Sequence, residues 1–567
     1  MGAFSQYPDW AKRLAKKYLG KTLNQFILHG NIRDKVMLGS AIKPDFISLK
    51  GFLSDELFAS RDIVLFYDRS TGVQFRDKHS LDDFRRSVSG GPISRGPLEL
   101  PTDPGRVFPL LEQYFRMRIS QNKSIACVID FAETIVPIGE TGTAGTEDRN
   151  ALVFLQKWSH DPLLLSADFT LILLSQNLSD LNRHLIQSPY NAAINIGLPQ
   201  ERERSAYIKS FCDKDEFQQI SSVPQKTLSR QTAGLNLVNI QGLLSGAREN
   251  KKKLTPNSLI ENKKELIEAE AYDLLEFVDT GRKLDDVAGH YQVKEHLRQT
   301  TEALRNNRPD VLPMGYLVCG PVGTGKTYLV TCFAGEVGIP MVRLKNFRSQ
   351  WQGVTEGNLE KILSLIEAMA PVAVMIDEAD AYLGNRESRG DSGVSSRVFS
   401  QIAQFMSNTD NRGKIIWFLM TARPDLMPID LKRQGRAEEH LALFPPSTQG
   451  EREELFRVMA GKTGIRLEDD SLPDTISQGT KMFSGADMEA ALTRAMFKAS
   501  AIGKRSVSIK ILEEAFLDFI PPSYPDEIEL QTLAAVIECT SQALLPARYR
   551  DMDRAEMAIR LEELKVL

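Results

Sequence analysis

The chain has 567 residues, 42% of them hydrophobic and 25% charged, so it can bury real cores and wholesale disorder is excluded. At roughly 100–200 residues per domain, the length predicts three or four globular units. Seventy basic residues oppose 74 acidic ones for a net charge of −4, which excludes a globally basic nucleic-acid glove and leaves room only for a local patch. No apolar run approaches the roughly 18 residues of a membrane span. The strongest runs, Val372–Ile376 and Ile415–Met420, are strand-sized. The start, Met1-Gly2-Ala3-Phe4-Ser5-Gln6, lacks a secretory apolar region, and Gln6 breaks a myristoylation signal. The five cysteines are scattered without CxxC spacing, which suggests reduced thiols in a cytoplasmic protein. His-Glu-x-x-His is absent, which argues against a fused zinc protease.

In chain order, a basic amphipathic helix is expected around Trp10, Leu14 and Tyr18, docked on its own domain. Ala126–Ile129 is a buried strand ending in Asp130-Phe131, and Phe169–Leu174 is a second strand. Leu198-Pro199-Gln200-Glu201-Arg202 then leads into helices. The bridge from Arg248 to Gly281 carries Lys251-Lys252-Lys253, read as a solvated face, and a charged helical pattern from Asn257 to Phe277. The same objects then recur. Val374-Met375-Ile376-Asp377-Glu378 is a strand ending in acids, Ile415–Met420 is an apolar strand, and Phe444-Pro445-Pro446-Ser447-Thr448 leads into helix. Pro521-Pro522-Ser523-Tyr524-Pro525 stops the last helix of this copy. Beyond it, two amphipathic helices are expected, with Leu530, Leu533, Val536 and Ile537 on one face.

This pattern reads as a tandem duplication of an α/β unit, a parallel doubly wound sheet, each copy followed by a small helical unit. The expected boundaries are 1–198 and 199–255 for the first α/β domain and its helical lid, and 256–283 for a linker helix. The second copy takes 284–446 and 447–521, and 522–567 is a helical tail.

Gly320-Pro321-Val322-Gly323-Thr324-Gly325-Lys326-Thr327 matches G-x-x-x-x-G-K-[ST], with a strand before it (Gly315–Cys319) and a helix after it from Tyr328. Glycines let backbone N–H groups wrap phosphates, and the helix N-terminus adds a favourable dipole. Lys326 is expected to neutralise the β- and γ-phosphates of ATP, and the Thr327 hydroxyl to ligate Mg²⁺. Asp377, at the tip of an apolar strand, would hold Mg²⁺ through its water shell, and Glu378 would polarise the attacking water. The first copy lacks this chemistry. Phe131 stands where Glu378 stands, and the expected loop region, Phe26 to Val36, offers one glycine, Gly30. Gly20-Lys21-Thr22 is a decoy, since position 15 is Ala and a helical stretch precedes it.

From Leu284 to about Ile520 the chain resembles the AAA clade of AAA+ ATPases. Asp286-Val287-Ala288-Gly289 is similar to that clade's base-contacting segment, and Thr421-Ala422-Arg423-Pro424-Asp425 to its sensor segment. Arg433-Gln434-Gly435-Arg436 is similar to its arginine-finger pair. Phe483-Ser484-Gly485-Ala486-Asp487 is similar to its lid motif, where Gly485 and Ala486 would pack on the nucleotide. The clade's sensor asparagine is Ala422 here, which leaves slow hydrolysis or substitution by Thr421 open. As fingers, Arg433 and Arg436 would act in trans, so the resemblance implies a homo-oligomer, usually a hexameric ring. Trp351-Gln352-Gly353 resembles the aromatic-x-Gly pore loop of protein-threading members, and Arg386–Ser396 is a candidate second pore loop or a plain surface loop. The whole plan, a degenerate module followed by an intact one, resembles a family of cyanobacterial, plastid and bacterial AAA ATPases.

The leading expectation is an ATP-driven machine that remodels, unfolds or disassembles a protein client. A low-turnover nucleotide switch or assembly scaffold is the alternative, and a DNA-linked loader is less favoured by the near-neutral charge.

Overall fold

The computed structural model describes residues 7–20, 22–40, 43–88, 100–139, 145–271, 274–306, 308–345, 356–383, 394–468, 473, 476, 483–520 and 524–566. They form two compact units, Met1–Tyr272 with Gly353–Met369, and Asp273–Gln352 with Ala370–Leu567.

The strands of the first unit are β1 (Gln25–Gly30), β2 (Lys35–Ser40), β3 (Lys43–Ser48), β4 (Ile63–Asp68), β5 (Gly72–Phe75), β6 (Ile125–Ile129), β7 (Phe169–Ser175) and β8 (Asn191–Ile196). Six of them form one sheet in the order β5-β4-β6-β7-β1-β8, and β2 and β3 pair as a separate hairpin. The sheet is parallel except for β5, which returns antiparallel to β4. Every residue of β6 and β7 is buried, as a strand covered on both faces requires. Alternate residues serve opposite faces. Leu65 and Tyr67 join the core of Phe108, Phe115 and Trp158, while Val64 and Phe66 join that of Trp10, Phe26 and Phe52. The helix Asp9–Leu19 therefore docks on its own domain through Trp10, Ala11 and Leu14. Helices Glu201–Phe211, Lys214–Ile220, Gln225–Gln231 and Leu237–Glu249 follow the sheet.

The second unit repeats the plan with β9 (Leu275–Val278), β10 (Gly315–Cys319), β11 (Met341–Leu344), β12 (Val372–Ile376), β13 (Ile415–Thr421) and β14 (Glu439–Ala442) in the order β14-β10-β13-β12-β11-β9. Read from β8 and from β14, the two sheets have the same order, and each ends in one antiparallel edge strand. Here the edge strand comes from the segment before the module. The helical pattern expected from Asn257 to Phe277 is helix only over Pro256–Glu270, and Leu275–Val278 pairs with Met341–Leu344. A free edge on β11 offers that segment a ladder of backbone hydrogen bonds, and this tertiary pairing overrides local helical periodicity.

Helices Gln449–Thr463, Gly485–Ala501 and Ile509–Asp518 pack around Phe456, Phe483, Leu492 and Phe516 as a lid. The tail helices Pro525–Glu538 and Arg554–Val566 join the core of the second sheet, with Leu530, Leu533 and Val536 buried beside Cys319 and Leu441 and Ile537 packed at its margin. No helix among the described residues is long and apolar enough to cross a membrane.

Candidate nucleotide site

β10 runs fully buried to Cys319, and the chain then turns at Gly320, whose φ is +143°. A Cβ there would lie 2.1 Å from the Leu443 carbonyl oxygen, so only glycine fits between the strand end and its neighbour. Gly323 (φ +79°) is pressed by the lid, since a Cβ would meet Ser484 Cβ at 2.5 Å. The helix Lys326–Val337 starts directly behind the loop, aiming its first N–H groups at the cavity.

Lys326 Nζ donates to the carbonyl oxygens of Gly320 (2.7 Å) and Pro321 (3.0 Å). Burial pushes its pKa below the ordinary lysine value, although Asp377 and Asp380 pull it back. Thr327 Oγ1 donates to Asp377 Oδ2 at 2.9 Å, and the Glu378 amide donates to Asp377 Oδ1 at 3.0 Å. Glu378 has φ +51°, a left-handed conformation uncommon for a residue with a side chain, so the chain turns sharply right after the acidic strand tip. Thr421 Oγ1 donates to Asp380 Oδ1 (2.6 Å) and accepts from the Arg423 amide (2.8 Å). From the lid, the Gly485 amide donates to the Gly323 carbonyl at 3.3 Å.

These elements enclose a cavity of about 730 Å³. Of the expected residues, Val322, Gly323, Gly325, Lys326, Thr327, Tyr328, Asp377, Glu378, Thr421, Gly485 and Ala486 line it. Pro321 and Thr324 sit behind the loop, with the Thr324 hydroxyl donating to the Pro321 carbonyl. Asp286–Gly289 do not reach the wall. Val287 is buried, its carbonyl accepts from Lys294 Nζ, and the adjacent His290 Nε2 lies 3.1 Å from the Thr324 carbonyl oxygen. Arg433 and Arg436 are outside it, facing Asp430. Trp351, Gln352 and Gly353, and with them Arg386–Gly393, lie outside the described residues. The cavity also takes Arg423 of the sensor segment, and Asp380, Lys462, Glu489 and Gln531, which were not among the expected site residues.

The donor set fits magnesium. One hydroxyl and one carboxylate oxygen, 2.9 Å apart beside a phosphate loop, give the sparse hard-oxygen set that a hydrated, phosphate-bridged Mg²⁺ takes. No cluster of three or more His, Cys, Asp or Glu suited to a metal occurs among the described residues.

The first unit has the same frame with different occupants. Gly30 (φ +95°) ends β1 against the Ile196 carbonyl as Gly320 does against Leu443, and Phe131 shares the φ of +51° found at Glu378. In place of a phosphate loop, the chain presents Arg33 and Asp34. Arg33 holds Asp130 in a bidentate pair, both contacts 2.8 Å, with its guanidinium 4.0 Å from the Phe131 ring centroid. Asp34, 5% exposed, accepts from the Leu237 (3.0 Å) and Val238 (3.2 Å) amides at the start of helix Leu237–Glu249, and from Asn31 Nδ2 (2.9 Å). Burial lifts its pKa against the pull of these donors. A cation therefore faces the strand-tip acid and an anion faces the helix N-terminus, both supplied by the chain itself.

A parallel sheet with a glycine loop, a Lys-Thr helix start and an acidic strand tip defines the phosphate-loop class of nucleotide-binding proteins. The family comparisons narrow this. Residues 316–444 match the model for the "ATPase family associated with various cellular activities (AAA)". Residues 2–197 match "AAA+ chaperone, N-terminal Rossmann-like domain" and residues 202–272 match "AAA+ chaperone, second helical domain". The chain thus carries an AAA-family ATPase domain, whose family uses ATP with Mg²⁺, behind AAA+ chaperone-type Rossmann-like and helical domains. It is 30% identical over 287 residues to the AAA domain-containing protein ycf46 of Trieres chinensis (48% of this chain, 56% of that one). It is 32% identical over 240 residues to the ATP-dependent zinc metalloprotease FtsH of Thermus thermophilus (41% and 38%). It is 30% identical over 220 residues to the cell division cycle protein 48 homolog of Archaeoglobus fulgidus (37% and 29%). The chain spans little more than half the length of these relatives, or less.

Proposed function

We propose that this chain hydrolyses ATP at the second unit's site and couples hydrolysis to remodelling of a protein client within a homo-oligomeric ring, a hexamer. The observation that carries the reading is the arrangement of Thr327, Asp377 and Glu378 around one phosphate loop. Lys326, half-buried and with its pKa lowered, regains full charge stabilisation when phosphate oxygens replace the carbonyls it now bonds. Magnesium, when bound, would neutralise the β- and γ-phosphate oxygens. Glu378 orients the attacking water and takes its proton. The Arg433 side chain is 61% exposed and lies outside its own cavity, which suits a finger completing a neighbour's site. Trp351 is the proposed grip on the client, an aromatic contact that needs no sequence selectivity. We place the protein in the cytoplasm, with its five buried free cysteines reduced.

One observation favours the second reading, a low-turnover nucleotide switch. Ala422 puts no polar side chain on the cavity wall beside Thr421, whose hydroxyl is engaged by Asp380. Two variants separate the readings. Glu378→Gln should bind ATP yet hydrolyse it at least ~100-fold more slowly. Trp351→Ala should keep basal ATPase and assembly but lose client stimulation. An undiminished client response in a well-folded Trp351→Ala ring would sink threading, and wild-type turnover in Glu378→Gln would sink the site.

A further inference from the structure

Six lid residues and one tail residue, Gln531, line the nucleotide cavity beyond the reach of the three family matches. The matches cover 2–197, 202–272 and 316–444, whereas Gln531 belongs to the tail helix Pro525–Glu538. We infer that Gln531 is a positioning residue of the ATPase site, holding the phosphate loop from the C-terminal tail. The inference rests on the ATPase reading given above.

Gln531 is 6% exposed, and both ends of its amide are committed. Its Oε1 accepts from the Val322 amide of the loop at 3.0 Å, and its Nε2 donates to Glu527 Oε1 at 2.9 Å, one helical turn earlier. Only one orientation of the amide satisfies both partners, because a backbone N–H needs an acceptor and a carboxylate needs a donor. The side chain is therefore a fixed strut rather than a mobile surface group. Its base is also fixed. Leu530, Leu533 and Val536 are buried in the sheet core, and Lys432 Nζ donates to Glu538 Oε2 at 2.8 Å at the far end of the helix.

The strut reaches the loop where it matters. Val322 comes two residues after the Gly320 turn and directly before Gly323, so turning its N–H toward the tail sets the peptide planes that follow. Those planes carry the amides of Gly323 to Thr327, the ones a phosphate needs. Glu527 also lies 3.8 Å from Arg423, a second cavity residue next to Ala422, so the tail touches the phosphate loop and the sensor segment together. The tail thus preorganises a ground-state binding loop without touching reacting atoms. Its loss should appear in nucleotide affinity more than in turnover.

The test is steady-state ATPase kinetics on the full chain, with thermal melting alongside, for Gln531→Met, Glu527→Ala and the double variant. Methionine keeps the length and burial of the side chain and removes both bonds. Gln531→Met is expected to raise the KM for ATP and the Kd for ADP about fivefold, the value of one ordinary hydrogen bond, with kcat within about twofold. Glu527, half-exposed, steadies the strut and makes only a long, solvent-screened pair with Arg423, so Glu527→Ala should raise KM about twofold and add nothing in the Gln531→Met background. KM and ADP affinity unchanged in a folded Gln531→Met protein would overturn the inference. So would full additivity of the two substitutions, or a fall in kcat and melting temperature with KM unmoved, the mark of a purely structural residue. Should Gln531→Met not fold, a KM unchanged in Glu527→Ala would overturn it, and a rise of about twofold would support it. Absence of ATP hydrolysis in the parent protein would instead overturn the ATPase reading itself, and direct ADP binding would still test the strut.

Discussion

Asp34→Ala probes the claim that the first unit supplies its own ions. In the parent, the Asp34 carboxylate takes the Leu237 and Val238 amides and the Asn31 side chain, at 3.0, 3.2 and 2.9 Å. Leu237 is 1% exposed, so its N–H has no easy route to water once the carboxylate is gone. A buried donor left without a partner costs about 1–3 kcal/mol, and losing a capping acceptor at a helix start costs about 0.5–2 kcal/mol. The partly wet Val238 amide contributes toward the low end, so about 2–4 kcal/mol of local stability should go. At about 1.4 kcal/mol per factor of ten, amide exchange at Leu237 and Val238 should accelerate about 30- to 700-fold, read by hydrogen exchange under native conditions. Asp34→Asn keeps one acceptor oxygen and should recover about half the effect. Because the helix N-terminus already has its anion, saturating ATP should leave exchange at these amides unchanged in the parent. Exchange in Asp34→Ala within threefold of the parent, or protection of Leu237 by ATP, would refute the self-liganded description.

Asp130→Asn should leave ATPase activity within about twofold, and calorimetry should find at most one tightly bound nucleotide per chain. Two per chain would show that Arg33 does not close the first site. Arg436→Ala mixed with Lys326→Ala should recover part of the ATPase activity that each lacks alone, because a finger acts on a neighbour's site; two inactive parents giving an inactive mixture would count against trans action. Docking of the tail should depend on pH. Both His440 ring nitrogens face carbonyl oxygens, Glu538 O and Ala437 O at 3.0 Å each, an arrangement suited to a doubly protonated ring. Burial opposes the charge, but the Glu538 side chain, itself also held by Lys432, outweighs it, and the His440 pKa is raised above the ordinary 6.5. The stabilisation is then full below about pH 6.5 and lost as pH rises through the folded value. The melting-temperature gap between the parent and His440→Asn should shrink from pH 6 toward pH 9, and a constant gap would remove His440 from the account.

The phosphate loop, the acid pair Asp377-Glu378 and the replacement of the second acid by Phe131 were legible in the residues alone. Each lies within a few consecutive positions at the end of an apolar strand, and local spacing is what places those atoms. The duplicated α/β plan was legible for the same reason, since a strand buried on both faces writes itself as an unbroken apolar run. Other features depended on residues far apart in sequence. Leu275–Val278 looks helical by period but is a strand because β11 offers it an edge. Arg33-Asp34 could be suspected, as two charges where a glycine loop belongs, yet their roles depend on Asp130, 97 residues away, and on Leu237, 203 residues away. Gln531 carries no motif at all, and it becomes part of the nucleotide site only because burial of Leu530, Leu533 and Val536 on the sheet brings it to Val322, 209 residues earlier. Chemistry held within one turn of backbone can be read from spacing, whereas chemistry assembled by packing depends on which apolar faces meet, and that is decided only by the folded chain.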